Sequence, residues 1–246
     1  RQEGHGRVLV SRSARRLTRR GLSLTGCRVG HLIPPTQDLN PFWIRLLMQN
    51  PIYDGLIVQG TMENEVMKAI FERRSVRQYS DEQVPEEVMH TILKAGVMAP
   101  SAMNKQPWRF SIVQDRKKIQ EYGMKSAELC RQAGIEEKVG FRLDGKRIFF
   151  NAPTMVAVSA DRDWDWKRDD CNLAIQNMFI AAQSLGIGSC WIGFGISLDN
   201  DPEARSELGV PENEEIIATL IFGYPKAPHT QVPEREVPIH AWLKED

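Results

Sequence analysis

Apolar positions recur at helical spacing in some stretches of the chain and alternate or run together in others. Val66, Met67, Ile70 and Phe71 form one helical face, and Thr61 is placed to cap that helix. The helix runs into Arg73-Arg74-Ser75-Val76-Arg77. Asp81 to Pro85 reads as a turn, with Pro85 at the first position of the next helix. That helix carries Val88, Met89, Ile92, Leu93 and Val97 on one face and stops near Pro100. Trp108–Val113 alternates like a strand. Residues 116–134 read as a helix ended by Gly134, and Thr154–Ala160 as a short apolar strand. Asp170–Leu185 is a strongly apolar helix closed by Gly186. Gly188–Gly193 follows as a buried strand, Asp201-Pro202 opens a short helix that Gly209 ends, and Ile216–Phe222 is the last clear strand. Gly223-Tyr224-Pro225 opens a Pro-rich tail. The chain has no internal repeat and no strict βαβ rhythm, which predicts an α+β fold rather than a doubly wound parallel sheet. No GxGxxG follows the first strand, so a Rossmann dinucleotide site is unsupported.

Composition divides the chain in two. The whole has 246 residues, 41% hydrophobic and 26% charged, with zero formal net charge, as expected of an ordinary globular protein. Residues 1–60, however, hold nine Arg, no Lys and only three acids (Glu3, Asp38, Asp54), a surplus of six positive charges that the remainder balances. An Arg- and Ser-rich stretch of this kind fits a targeting presequence, a basic arm for nucleic acid or acidic lipid, or an extension upstream of a natural start. Met62 opens a well-patterned helix where the composition changes, which favours the extension. The expected division is therefore an Arg-rich N-terminal extension over 1–61, outside the main domain, and that main domain over 62–246. Phe42, Trp43, Ile44, Leu46 and Leu47 could pack on that domain. Its acidic balance gives no case for nucleic-acid binding, and no run of about 18 apolar residues suggests a membrane span. The four cysteines form no CxxC pair and no zinc-spaced cluster, so no metal site is expected. Sparse cysteines suit a reducing, cytoplasmic setting, with Cys130 and Cys171 as buried core thiols.

Four segments carry candidate chemistry. Arg73, Arg74, Ser75 and Arg77 gather three guanidiniums and a hydroxyl, and extended alternation puts Arg73, Ser75 and Arg77 on one side. Guanidinium makes paired, charge-assisted bonds to phosphate, although a solvated basic surface has the same composition. Pro100, Ser101, Ala102, Met103, Asn104, Lys105, Gln106 and Pro107 form a stiff, amide-rich loop before Trp108. Such a loop suits the alternating donor and acceptor edge of a flat heterocycle, or is an ordinary connection. The stretch from Gly186 through Trp191, Ile192, Gly193 and Gly195 has four glycines in ten residues, which lets backbone approach a ligand or simply pack tightly. Cys190 in that stretch has no obvious His partner for nucleophilic work. Arg235 sits between Pro233 and Pro238, where it could be a fixed phosphate ligand or a surface charge.

Taken together and in this order, ERRSVRQYSDEQVP, PSAMNKQPWRF, GIGSCWIGF and Arg235 resemble the nitroreductase family of flavin mononucleotide (FMN) oxidoreductases. The likeness covers about residues 63–242. It implies a compact α+β fold with a central, mainly antiparallel sheet flanked by helices. It also implies an intertwined homodimer with two FMN sites at the interface. By the resemblance, Arg73, with Arg74 and Ser75, meets the flavin phosphate, and Arg77 lies near the pyrimidine edge. Pro100, Ser101, Ala102, Met103, Asn104 and Gln106 reach the flavin from the other subunit. Backbone of Trp191, Ile192 and Gly193 lies near N5, and Arg235 returns to the phosphate. Some members carry Glu just before the Gly-Phe of the third motif. This chain has Ile192, so the N5 contact would rest on backbone alone.

The resemblance further implies NAD(P)H as co-substrate and ping-pong hydride transfer through flavin to a small-molecule acceptor such as a nitroaromatic, quinone or flavin. No catalytic side chain is required, with Arg77 acting as an electrostatic stabiliser. Relatives that dehalogenate tyrosine derivatives or fragment flavin are one alternative, with residues 123–150 as the place for a lid. A non-catalytic flavin-binding module is another, and a DNA-binding arm at residues 1–30 a third.

Overall fold

Four strands build one sheet: β1 (Arg109–Val113), β2 (Thr154–Asp161), β3 (Gly188–Ile192) and β4 (Glu214–Gly223). The computed structural model of the chain describes residues 64–139, 143–227 and 235–244. The expectations for residues 1–61, Thr61 as a cap included, and the prolyl setting of Arg235 at Pro233 lie outside the described residues. The strand order is β1-β2-β4-β3, and every pairing is antiparallel. The α+β expectation of an antiparallel sheet flanked by helices therefore holds.

The two central strands are apolar on both faces because both faces are covered. Successive side chains on a strand point to opposite sides. Met155 and Ala157 of β2 accordingly join one buried cluster, with Ile119, Tyr122, Phe149 and Ile192, while Val156 and Val158 join the other, with Ile92, Ile175, Met178 and Leu220. Helix α3 (Arg116–Gln132) supplies Ile119 and Tyr122 to the first cluster. Helices α2 (Glu86–Val97) and α5 (Lys167–Ser184) close the second. Cys130 and Cys171 are buried thiols, as expected.

Several ends differ from the sequence reading. Helix α1 (Glu65–Glu72) is capped by Asn64, whose side chain accepts from Met67 N at 3.0 Å. Pro85 has a non-helical ψ of 147° and stands before α2 rather than inside its first turn. α5 begins at Lys167, one turn ahead of the expected Asp170. β3 stops at Ile192, and Gly193–Asn200 winds into 3₁₀ turns. Residues 123–132 belong to the interior of α3, with Gly123, Ala127 and Cys130 buried, so a lid there could begin only after the helix. The glycine stop signals hold: Gly134, Gly186 and Gly209 all take positive φ, where a side chain is costly.

The apolar face of α1 is unlike the others. Val66 is 60% exposed and Phe71 57%, and only Ala69 of that helix is buried. Two short elements complete the order, α4 (Ile135–Val139) and α6 (Pro202–Glu207). Among the described residues no helix is long and apolar enough to cross a membrane.

Inside the sheet, fully buried Thr219 donates from Oγ1 to the Ile192 carbonyl at 2.8 Å and so ties β4 to the last residue of β3. Thr219→Val keeps the shape and deletes that bond. We expect a stability loss of about 1–2 kcal/mol in denaturant unfolding, with the native fold retained.

Candidate functional site

The basic motif is fixed to the sheet by a short parallel pairing. Ser75 bridges Ser189, and Val76 N–H donates to the Ser189 carbonyl at 2.9 Å. A second bridge, Tyr79 to Pro225, holds the far end of the segment, and the Tyr79 hydroxyl donates to the Val76 carbonyl at 2.6 Å. The pairing needs a residue without a side chain on β3. A Cβ at Gly188 would lie 2.7–2.9 Å from three atoms of the Val76 side chain. Extended pairing sets the alternation that the sequence suggested. Val76 is buried, and Arg73, Ser75 and Arg77 gather about Cys190.

Among the described residues Arg73, Arg77 and Arg235 form no ion pair, although salt bridges are frequent elsewhere in the domain. Arg73 stacks over the Phe179 ring at 5.9 Å and Arg77 over the Phe150 ring at 5.8 Å. Burial, and then the positive charges of Arg235 and Arg74, hold the Arg73 guanidinium below its ordinary range. Arg235, far away in sequence, thus lies close enough to Arg73 to act on its charge. Arg74 turns back on the chain, donating from Nη1 to the carbonyls of Phe71 (2.7 Å) and Arg73 (2.6 Å) at the end of α1.

A cavity of about 420 Å³ opens beside this cluster. Arg77, Phe150, Trp191, Ile192, Gly193 and Phe194 line it, together with Leu143, Asp144, Arg147 and Ile148. Its size suits a single planar ligand. Arg77 provides charge, the aromatic rings provide flat apolar walls, and the end of β3 provides backbone. The residues from Leu143 to Phe150 were missed in the sequence, apart from their inclusion in the broad lid region. Positive φ at Phe150 and Asn151 is the local feature that turns this segment into the wall, and no residue type there announces it. Cys190 is poorly suited to act as a nucleophile. Burial pushes its thiol up, against the opposing pull of Arg77, Ser75 and Arg73, and keeps it neutral.

The proline-framed loop does not line this cavity. Met103, Asn104 and Gln106 all have φ between 50° and 55°, a region that residues with a Cβ seldom enter. Three such residues in four positions mark a strained turn. The loop closes on itself through Gln106 N–H to Ser101 Oγ (2.9 Å) and Gln106 Nε2 to Asn104 Oδ1 (2.9 Å). Its tip is exposed, with Met103 at 78%. Among the described residues none of its hydrogen bonds or ion pairs reaches Arg73, Ser75 or Arg77. Arg73, Ser75 and Arg77 thus gather about Cys190, Arg235 acts on Arg73, and Arg77, Trp191, Ile192 and Gly193 line the cavity, which Pro100 to Gln106 do not.

An antiparallel four-stranded sheet with a basic segment docked on β3 and a flat-walled cavity at its end defines a class of α+β ligand-binding domains. The chain belongs to the Nitroreductase family, whose family model matches residues 70–224. It is 35% identical over 167 residues to a putative NADH dehydrogenase/NAD(P)H nitroreductase of Archaeoglobus fulgidus, covering 66% of this chain and 86% of that one. It is 28% identical over 174 residues to an iodotyrosine deiodinase of Thermotoga neapolitana, covering 67% and 91%. A crystal structure of a nitroreductase with bound FMN from Bacteroides fragilis superposes with a TM-score of 0.63 at 34% identity, covering 75% of this chain and all of that one.

Gly188→Ala tests the docking of the basic segment. The added methyl must displace Val76, so we expect a stability loss of about 1–3 kcal/mol by denaturant unfolding. Faster amide exchange at Val76 should accompany it.

Proposed function

We propose that residues 62–246 form an FMN-dependent NAD(P)H oxidoreductase that works as a homodimer. The supporting observation is a chain of neighbouring arginines that ends at the cavity: Arg235 acts on Arg73, Arg73 and Arg77 both act on Cys190, and Arg77 lines the cavity, none of the three paired with a carboxylate among the described residues. A cluster of like charges held partly out of water calls for an anion, and a phosphate on a flat ring system meets that call. The residues present fit FMN. Arg73 and Arg235, with Ser75, would hold the phosphate, and Arg77 would sit at the ring edge above Phe150.

Bound FMN would supply the redox chemistry, hydride transfer between NAD(P)H and an oxidised acceptor such as a nitroaromatic, a quinone or a free flavin. The chain's part is binding, orientation and field. The Arg77 guanidinium would stabilise negative charge on the pyrimidine side of the ring. Ile192 and Gly193 would offer backbone to the ring from the cavity wall, since neither carries an acidic side chain. Trp191, 40% exposed, and Phe194 shape the open side where donor and acceptor alternate. No side chain in the cavity is required to move a proton.

A second copy completes the site in this reading. The uncovered face of α1, the 78% exposed Met103 at the tip of the amide-rich loop, and exposed Trp242 and Leu243 near the C-terminus are the surfaces such a copy would cover. The loop residues Pro100, Ser101, Ala102, Met103, Asn104 and Gln106 would then reach the partner's ring. A reductive dehalogenase is the second reading, favoured by the deiodinase relative. Residues 143–150, which wall the cavity, would then govern acceptor choice.

The decisive measurement is the visible flavin spectrum of the purified protein and its anaerobic bleaching by NADPH or NADH. A colourless monomer that added FMN does not reconstitute would overturn the proposal. Oxidation of the bleached protein by nitroaromatics, quinones and iodotyrosine separates the two readings. Arg73→Ala should weaken FMN binding by about 10- to 100-fold, the worth of one charge-assisted phosphate contact. Arg77→Ala should slow bleaching by on the order of tenfold, about 1.4 kcal/mol of barrier. If Arg77→Ala changes neither flavin affinity nor bleaching rate, its assigned role is wrong.

A further inference from the structure

We propose that Asp170 is the residue that positions the Ser101–Gln106 loop for the cofactor. The role rests on the FMN reading above and assigns a part to a side chain that does not line the cavity.

Asp170 lies in the first turn of α5 and is only 2% exposed. A buried carboxylate is costly unless its oxygens are taken up by donors. Here each oxygen has one: Ala102 N–H donates to Oδ1 at 2.8 Å, and Trp164 Nε1–H donates to Oδ2 at 2.8 Å. Ala102 is the residue immediately before the positive-φ run at Met103 and Asn104. Lys105 of the same loop lies over the Trp164 ring at 5.5 Å, and Trp164 is braced edge-on by Trp166 at 5.2 Å. One carboxylate thus clamps the entrance of the loop and the ring on which its far side rests.

Among the described residues the loop makes few other hydrogen bonds. Its remaining hydrogen bonds run among its own residues, apart from a long contact of 3.3 Å from Arg109 Nη1 to the Gln106 carbonyl. Three non-glycine residues in the left-handed region would relax if the entrance were released. The carboxylate is specific to this task because both of its partners are donors. An amide in its place can offer oxygen to one and must turn its own NH₂ toward the other, leaving a buried donor facing a donor. Asp170 touches neither the cavity nor Arg73, Ser75 and Arg77, so it is a positioning residue acting through Ala102.

The test compares Asp170→Asn with Trp164→Phe in the full chain. Trp164→Phe removes one donor but leaves the Ala102 bond in place. Asp170→Asn should weaken FMN binding by about tenfold or more, read by flavin fluorescence, whereas Trp164→Phe should change it by less than about threefold. Amide exchange at residues 101–106 in the FMN-free protein should quicken in Asp170→Asn alone. A purely structural role would lower the melting temperature of both variants and leave FMN affinity tracking that loss. That pattern, or an Asp170→Asn protein with unaltered affinity and exchange, overturns the proposal. A wild-type protein that takes up no FMN overturns the cofactor reading itself.

Discussion

The site depends on one backbone pairing, in which the segment after α1 lies parallel to β3 through Ser75 and Ser189, with Val76 pressed against Gly188. A guanidinium is useful to an anion only if it is held still, and arginine loses considerable side-chain entropy when it is immobilised. Pairing the backbone to an already buried strand fixes where each side chain starts and settles the backbone part of the cost during folding. The aromatic rings of Phe179 and Phe150, themselves set by α5 and by the turn before β2, take up the rest by lying under Arg73 and Arg77. Disturbing the contact at Gly188 therefore moves charge, strand edge and cavity wall together.

The antiparallel sheet explains how residues so distant in sequence share a site. β3 is an edge strand of the order β1-β2-β4-β3, so one side of it is free to receive another segment. In a closed or fully paired sheet the basic motif would have no such place. The docking also covers an edge that would otherwise invite pairing with another chain. The two buried clusters on either side of β2 and β4 make the sheet stiff, so the end of β3, where Ile192 and Gly193 turn into the 3₁₀ segment, is a fixed rim.

The elements that were legible in the sequence are those decided locally. Gly134, Gly186 and Gly209 stop helices because each takes a left-handed backbone, and that preference is written in the residue itself. The alternation of Arg73, Ser75 and Arg77 was legible for the same reason, since extended chain admits only one arrangement of side chains. Tertiary decisions were not legible. Nothing in the run Leu143 to Phe150 shows that it walls a cavity, because the turn at Phe150 and Asn151 is enforced by packing. Asp170 reads as one acid in an Asp-rich helix start, and its partners at Ala102 and Trp164 become visible only when the chain is folded. The start of α5 at Lys167 was missed because Trp166 offers no side-chain cap.

The left-handed turns at Met103, Asn104 and Gln106 have a consequence for sequence change over time. Glycine would enter these positions without strain, yet it would also enlarge the set of shapes open to the unfolded and released loop. Side chains that tolerate the conformation poorly are, for that reason, better guardians of a single shape once an outside clamp has enforced it. Drift at this loop should thus be constrained less by what each side chain touches than by how few alternatives its backbone retains.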